Sequence, residues 1–134
     1  MFVDASAIVA ILTREPDADA LTARLDGARA PITSAIAIFE AALGICRKRH
    51  ASVAEAHEDV REFLAIAGVQ TVSITGKDAE TALEAFAHYG KGQRHPAQLN
   101  MGDCFAYAVA KSYRAPLLFK GDDFTQTDIS PPGG

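Results

Sequence analysis

Four apolar segments each carry a carboxylate that solvation alone does not explain. Asp4 lies in Phe2-Val3-Asp4-Ala5, Glu40 in Ile38-Phe39-Glu40-Ala41-Ala42, and Asp103 in Gly102-Asp103-Cys104-Phe105. The pair Asp122-Asp123 closes Leu117-Leu118-Phe119-Lys120-Gly121-Asp122-Asp123-Phe124. Glu40 is the sharpest case, because it is the only charged residue between Ala35 and Cys46. Ile36 and Leu43 share its face at helical spacing, and no cation stands at i±3 or i±4. A helix apolar on all sides belongs in the interior. There a lone carboxylate costs on the order of several kcal/mol or takes up a proton.

Each of the other acids has an ordinary structural reading. Asp103 falls at the third position of a helix capped by Asn100, where an acid favours the helix dipole. Asp4 ends a strand, and Asp122-Asp123 reads as an acidic turn. Together they point elsewhere. In an open α/β sheet, sites form beyond the carboxyl ends of the strands, where Asp4 and the Asp122-Asp123 pair lie. Glu40 and Asp103 sit on helices that can reach the same crevice. Neighbouring carboxylates need a counter-charge to stay ionised, and a hard divalent cation supplies it. Mg²⁺ or Mn²⁺ suits oxygen ligands and leaves positions for a substrate phosphate. No HxxxH or cysteine cluster suggests zinc. Such a pocket, holding one or two ions, points to phosphodiester hydrolysis. Ser6, two residues after Asp4, either bonds an acid or a phosphate or caps the first helix.

The elements that must position these residues alternate along the chain. Phe2-Val3 opens a short strand. Ser6–Thr13 and Asp17–Asp26 read as helices, the second ended by Gly27. Pro31-Ile32-Thr33 reads as a strand, and Ser34 caps a helix reaching about Lys48. Val53, His57, Val60, Leu64 and Ala67 keep helical spacing up to Gly68. Val69–Ile74 is β-rich, Asp78–Tyr89 helical, and Gly90–Gln98 a Gly/Pro/basic loop. A helix from Asn100 to about Tyr113 and a strand at Pro116–Phe119 complete the order. Strand-helix alternation predicts an α/β fold, with helices packed on a mostly parallel sheet.

Length and composition agree with one globular domain. The chain has 134 residues, 49% hydrophobic and 22% charged, which excludes long disorder and arrays of domains. Alanine occurs 26 times and tryptophan never, which predicts close-packed helices. Neither Cys46 nor Cys104 belongs to a CxxC pattern, so both read as buried free thiols in a reducing compartment. The longest uncharged apolar run near the start is Ala5–Leu12, too short to span a bilayer, and no basic region precedes it. These features predict a soluble cytoplasmic protein without a membrane role. The net charge of −4 disfavours non-specific nucleic-acid binding. Yet two stretches lack acids: Arg47, Lys48, Arg49 and His50 fill one, and His88, Lys91, Arg94 and His95 the other. They are either basic patches or solvated helix ends.

The motif set resembles a known family. Met1-Phe-Val-Asp-Ala-Ser-Ala7, Ile38-Phe-Glu-Ala-Ala42, Leu99-Asn-Met-Gly-Asp-Cys-Phe105 and Leu117-Leu-Phe-Lys-Gly-Asp-Asp-Phe124 look like a PIN domain, more narrowly a VapC-type toxin ribonuclease. Tyr89-Gly90-Lys91-Gly92 matches a common subgroup. The resemblance implies a three-layer α/β/α fold over residues 1–130, with a tail at 131–134. It implies Mg²⁺- or Mn²⁺-dependent endonuclease activity on RNA, a VapB-type antitoxin partner and a homodimer. By position, Asp4 and Asp103 are the principal metal ligands and Glu40 completes the acidic cluster. Asp123, just before Phe124, is a better fourth acid than Asp122. Lys91, Arg94, Lys120 and Arg47 then grip flanking phosphates, with Ser6 near the substrate. The loop departs from the family around Gln93 and Gln98, where it is one residue longer, and Gln98 replaces a frequent glycine.

Two other chemistries use similar acids. A haloacid-dehalogenase-like phosphatase has an Asp after strand one and a late Gly-Asp-Asp, but it usually needs a second Asp where Ser6 stands. A metal-binding regulatory domain of the receiver kind carries its acidic pair near the N-terminus, whereas this pair lies near the C-terminus.

Overall fold

The computed structural model describes residues 1–129. The tail expected at 131–134 lies outside the described residues. Ten elements follow one another: β1 (Phe2–Val3), α1 (Ala5–Leu12), α2 (Ala18–Asp26), β2 (Ile32–Ser34), α3 (Ala35–Arg49), α4 (Val53–Ala67), β3 (Gln70–Val72), α5 (Gly76–Tyr89), α6 (Met101–Ser112) and β4 (Leu117–Leu118).

Except for α2, whose N-cap Asp17 makes no side-chain cap bond, the helices begin where a short polar side chain accepts a free backbone N–H. Ser34 accepts from Ala37 N–H at the start of α3. Ser52, Thr75 and Asn100 form reciprocal capping boxes with Glu55, Asp78 and Asp103 at the starts of α4, α5 and α6. Gly68 ends α4 in the left-handed region (φ 69°), which a β-carbon would disfavour.

The four strands form one sheet in the order β3-β2-β1-β4, every pair parallel. Phe2 N–H donates to Pro116 O (2.8 Å) and Asp4 N–H to Leu118 O (3.0 Å), so β4 pairs with β1 on the side away from β2. The chain therefore reverses its lateral direction between β1 and β4. Crevices for ligands open at such switch points, beyond the strand ends.

Side chains alternate across the sheet. Phe2 and Leu117 join Leu99, Tyr107, Val109 and Phe124 in the core on the α5–α6 face. Val3 and Leu118 join Ile8, Ile11, Ile45 and Val60 in the core on the other face. Alanines let the helices approach closely: Ala7, Ala10, Ala41, Ala56, Ala108 and Ala110 are fully buried. The result is the three-layer α/β/α arrangement the sequence predicts. The β-rich segment at 69–74 contributes a shorter edge strand, β3, whose first two residues are exposed.

Two expectations are corrected. Helix α3 is not buried all round. Its inner face, with Ala37, Ala41, Ala42, Gly44 and Ile45, is made of small residues that pack closely. Its outer stripe stays at the surface, with Phe39 65% exposed. Cys46 is only half-buried, while Cys104 is buried; both are free thiols. No helix among the described residues is long and apolar enough to cross a membrane.

Candidate active site

Asp4 leaves the sheet at the end of β1 and becomes the N-cap of α1 (φ −75°, ψ 156°). Its Oδ2 accepts from Ser6 N–H (3.0 Å) and from the Ser6 hydroxyl (2.6 Å). Ser6 Oγ in turn accepts from Lys120 N–H (3.0 Å), just past β4. Ser6 is thus not the cap of α1. It is a bridge between the ends of the two strands at the switch point, and its hydroxyl is engaged on both sides.

Asp103 does two things at once. Its Oδ2 accepts from Asn100 N–H (3.1 Å), closing the capping box of α6. That bond involves Oδ2 alone, as both Ser6 bonds do at Asp4. The capping role read from the sequence and a place in an acidic site therefore coexist in one side chain.

Glu40 projects from α3 toward the first turn of α6. A β-carbon on Gly102 would overlap both of its carboxylate oxygens, so the absent side chain there makes room for it. Asp123 joins from the turn after β4, in which Gly121 is left-handed (φ 95°). Asp4, Glu40, Asp103 and Asp123 line one cleft of about 460 Å³, together with Ser6, Asn100, Lys120 and the rim residues Glu15, Arg47 and Lys48. Asp122 does not line it; its carbonyl accepts from Thr125. Lys91 and Arg94 are exposed on the 91–98 loop and are not among the residues lining the cleft. Tyr89 packs in an aromatic cluster with His95 (ring centroids 4.9 Å apart) and Tyr107 (5.8 Å).

The cleft disfavours its own charges. Burial pushes the Asp103 carboxyl from its usual 3.8 to about 7, against the opposing Asn100 N–H, and the charges of Asp4, Asp123 and Glu40 raise it further. Burial likewise raises Asp4, against the Ser6 bonds, and Asp123 adds to the rise. Burial raises Glu40, Asp4 raises it further, and Arg47, two turns along α3, opposes. This combination of desolvation and like charge is relieved by a cation. The donor set is all oxygen, which suits Mg²⁺ or Mn²⁺. No group of three acidic, histidine or cysteine side chains among the described residues is arranged to hold an ion by itself.

The sequence profile of the PIN domain matches residues 1–130. This chain belongs to the PIN-domain family. A VapC ribonuclease of Rhizobium meliloti is 41% identical over 139 residues, spanning 96% of this chain and 98% of the relative. Ribonuclease VapC30 of Mycobacterium tuberculosis is 40% identical over 130 residues, spanning 97% and 96%. Within the PIN domains the chain is thus of the VapC type. The crystal structure of Mycobacterium tuberculosis VapC20, described as a toxin that cleaves the sarcin-ricin loop, superposes with a TM-score of 0.73 at 17% identity, covering 96% of this chain and 95% of that one. At that identity the likeness is one of fold.

In this PIN domain the cleft also contains residues that motif reading misses. Glu15 lines it from the connection between α1 and α2 and Lys48 from the last turn of α3, and Gly102 admits the Glu40 carboxylate. Glu15 falls between the two helices that the sequence marks at Ser6–Thr13 and Asp17–Asp26, and Lys48 reads only as one of a basic run. The buried signal lies in three-dimensional convergence, which sequence spacing does not encode.

Proposed function

We propose that the chain is the toxin of a VapBC-type toxin–antitoxin pair, a Mg²⁺- or Mn²⁺-dependent endoribonuclease. The observation that carries this reading is the convergence of Asp4, Glu40, Asp103 and Asp123 on one cleft in a PIN domain whose relatives are VapC ribonucleases. Asp4 and Asp103 would hold the cation, each having one oxygen engaged in helix capping and a second available. Glu40 and Asp123 would complete the acidic set directly or through water. A divalent cation bound there polarises a phosphate and lowers the pKa of water.

The residues of the chain supply the rest. Ser6 fixes the rotamer of Asp4 and ties it to the β4 end. The N-termini of α1 and α6 both face the cleft, and their positive dipole ends favour anions there. Glu40, partly open to solvent, can accept a proton from an attacking water. Arg47 lies close enough to Glu40 to favour its ionised form. Single-stranded loops are the RNA class that suits such a site, since their bases can be splayed away from the backbone.

A VapB-type antitoxin, a homodimer and a cytoplasmic setting belong to the same reading. The apolar strip of Ile36, Phe39, Leu43 and Met101 beside the cleft supports self-association, with Phe39 and Met101 65% and 63% exposed. The test is RNA cleavage by the purified protein, lost on chelation and restored by Mg²⁺ or Mn²⁺. Cleavage that persists in chelator, or that matches an Asp103→Asn preparation, would overturn the reading.

A further inference from the structure

We propose that Lys48, Glu15 and Lys120 form a preorganised phosphate bracket on the rim of the acidic cleft, with Glu15 as its positioning residue. The three side chains line the same cleft as the four acids. Glu15 Oε1 pairs with Lys48 Nζ, and Glu15 Oε2 pairs with Lys120 Nζ at 2.7 Å. One carboxylate thus holds two ammonium groups, one on each oxygen. Asp17 Oδ1 stands 3.4 Å from Lys120 on its far side.

Exposure separates the parts. The Glu15 side chain is 15% exposed, whereas Lys48 is 49% and Lys120 37% exposed. The anchor is largely shielded and the cations are open to solvent. Each ammonium has three donors, so Glu15 and Asp17 leave capacity on both for a phosphate oxygen. A lysine is a flexible point charge, and a shielded carboxylate between two of them restricts where they can stand.

The bracket is also joined to the acids. Lys120 N–H donates to Ser6 Oγ, and the Ser6 hydroxyl donates to Asp4 Oδ2. The chain Lys48–Glu15–Lys120–Ser6–Asp4 therefore fixes two cations relative to a proposed metal ligand. Four carboxylates alone would repel a polyanion; placed cations at the rim set where its backbone enters. The ligand class is the phosphodiester backbone of single-stranded RNA flanking the scissile bond. This inference rests on the nuclease reading for its substrate.

Two measurements test it. Binding of a fluorescein-labelled single-stranded RNA is titrated over a range of salt in an Asp103→Asn background, which separates binding from cleavage. Lys48→Gln and Lys120→Gln should each weaken binding several-fold and flatten the slope of log Kd against log salt by about 0.7. Glu15→Gln keeps both cations, so its salt slope should match the parent. In the cleavage-competent background, Glu15→Gln should lower kcat per folded molecule, the folded fraction being read by circular dichroism, about tenfold with KM unchanged or lower; a purely structural role would leave kcat per folded molecule at the parental value. Parental Kd and slope in both lysine variants would overturn the bracket, even should Glu15→Gln unfold. Parental kcat in Glu15→Gln would overturn the positioning role. RNA binding with the expected lysine slopes, in a protein that cleaves nothing, would support the bracket and sink the nuclease reading. Cleavage indifferent to both lysines would do the reverse.

Discussion

Glu40 and Gly102 occupy one space: the carboxylate of α3 lies where a side chain on the first turn of α6 would be. This contact brings two helices together at the cleft and explains why an acid can enter an otherwise apolar helix face. Gly102→Ala should push Glu40 out of place. Alanine at a helical position is favoured over glycine by up to about 1 kcal/mol, so the fold should persist. A displacement of about 1 Å at a catalytic group can cost on the order of 100-fold in rate. RNA cleavage is expected to fall by that order while the melting temperature changes little. Undiminished cleavage would place Glu40 outside the reaction.

The acids should respond to neutralisation in a way that separates binding from folding. Asp4→Asn and Asp103→Asn each retain an oxygen that can accept the capping hydrogen bonds. Each removes a charge that burial opposes. Neither variant should unfold, and both should lose RNA cleavage. Added Mg²⁺ should raise the melting temperature of the parent, by linkage worth about 2.7 kcal/mol at 100 times the dissociation constant, and should leave the variants unmoved. Equal Mg²⁺ stabilisation in all three proteins would remove these residues from the ion site.

The Asp103 shift gives the metal-free protein a signed pH dependence. The folded carboxyl titrates at about 7 against its usual 3.8, so between these values the native state holds a proton that the unfolded chain has released. The Asp103 contribution therefore falls as pH rises through this window and levels off above it, while the Met1 amine, lowered from its usual 8.0 by burial, works in the opposite direction at the upper end. Asp4 and Glu40, shifted upward too, act in the same direction. The downward-shifted Asp128 and Glu55 act only at lower pH, below the usual carboxylate range. Denaturant titrations without metal should give higher stability near about pH 5 than near about pH 8, and Asp103→Asn should flatten the difference. Rising stability over that interval would contradict the assigned shift.

Local chemistry was readable in the chain and convergence was not. Caps at Ser34 and Asn100, the stop at Gly68 and the strand of Phe2-Val3 depend on neighbours within a few residues, and they stand where the sequence puts them. Asp4, Glu40 and Asp103 could be singled out because each breaks an apolar pattern. That Asp123 rather than Asp122 lines the cleft is set by the path of the turn after β4, where Gly121 is left-handed, and no local pattern announces that path. Glu15 and Lys48 break no pattern, so nothing in their surroundings marks them. The exposed stripe of α3 is hidden from sequence reading because apolar residues fill both its inner and outer faces, and only the packed fold distinguishes them.

Gln98 gives a prediction in which two effects oppose each other. It sits in the left-handed region (φ 52°), a conformation that costs a side-chain-bearing residue about 1 kcal/mol relative to glycine. Its amide offsets part of this: Oε1 accepts from Gly92 N–H (3.3 Å) and Nε2 donates to His95 O (2.6 Å), across the 91–98 loop. Net hydrogen bonds of this kind contribute about 0.5–1.5 kcal/mol, less when exposed. Gln98→Gly exchanges one effect for the other and should change stability by less than about 0.5 kcal/mol. Gln98→Ala loses both hydrogen bonds and keeps the strained backbone, so it should cost about 1 kcal/mol. The loop neck does not depend on this side chain, because Lys91 N–H donates to Leu99 O and Leu99 N–H to Tyr89 O, both at 2.8 Å. Asn100 and Asp103 should therefore hold their positions in both variants. Faster amide exchange at Gly92 with unchanged cleavage is the expected pair of readouts. A Gln98→Gly variant less stable than Gln98→Ala would show that the left-handed backbone is not what the amide compensates.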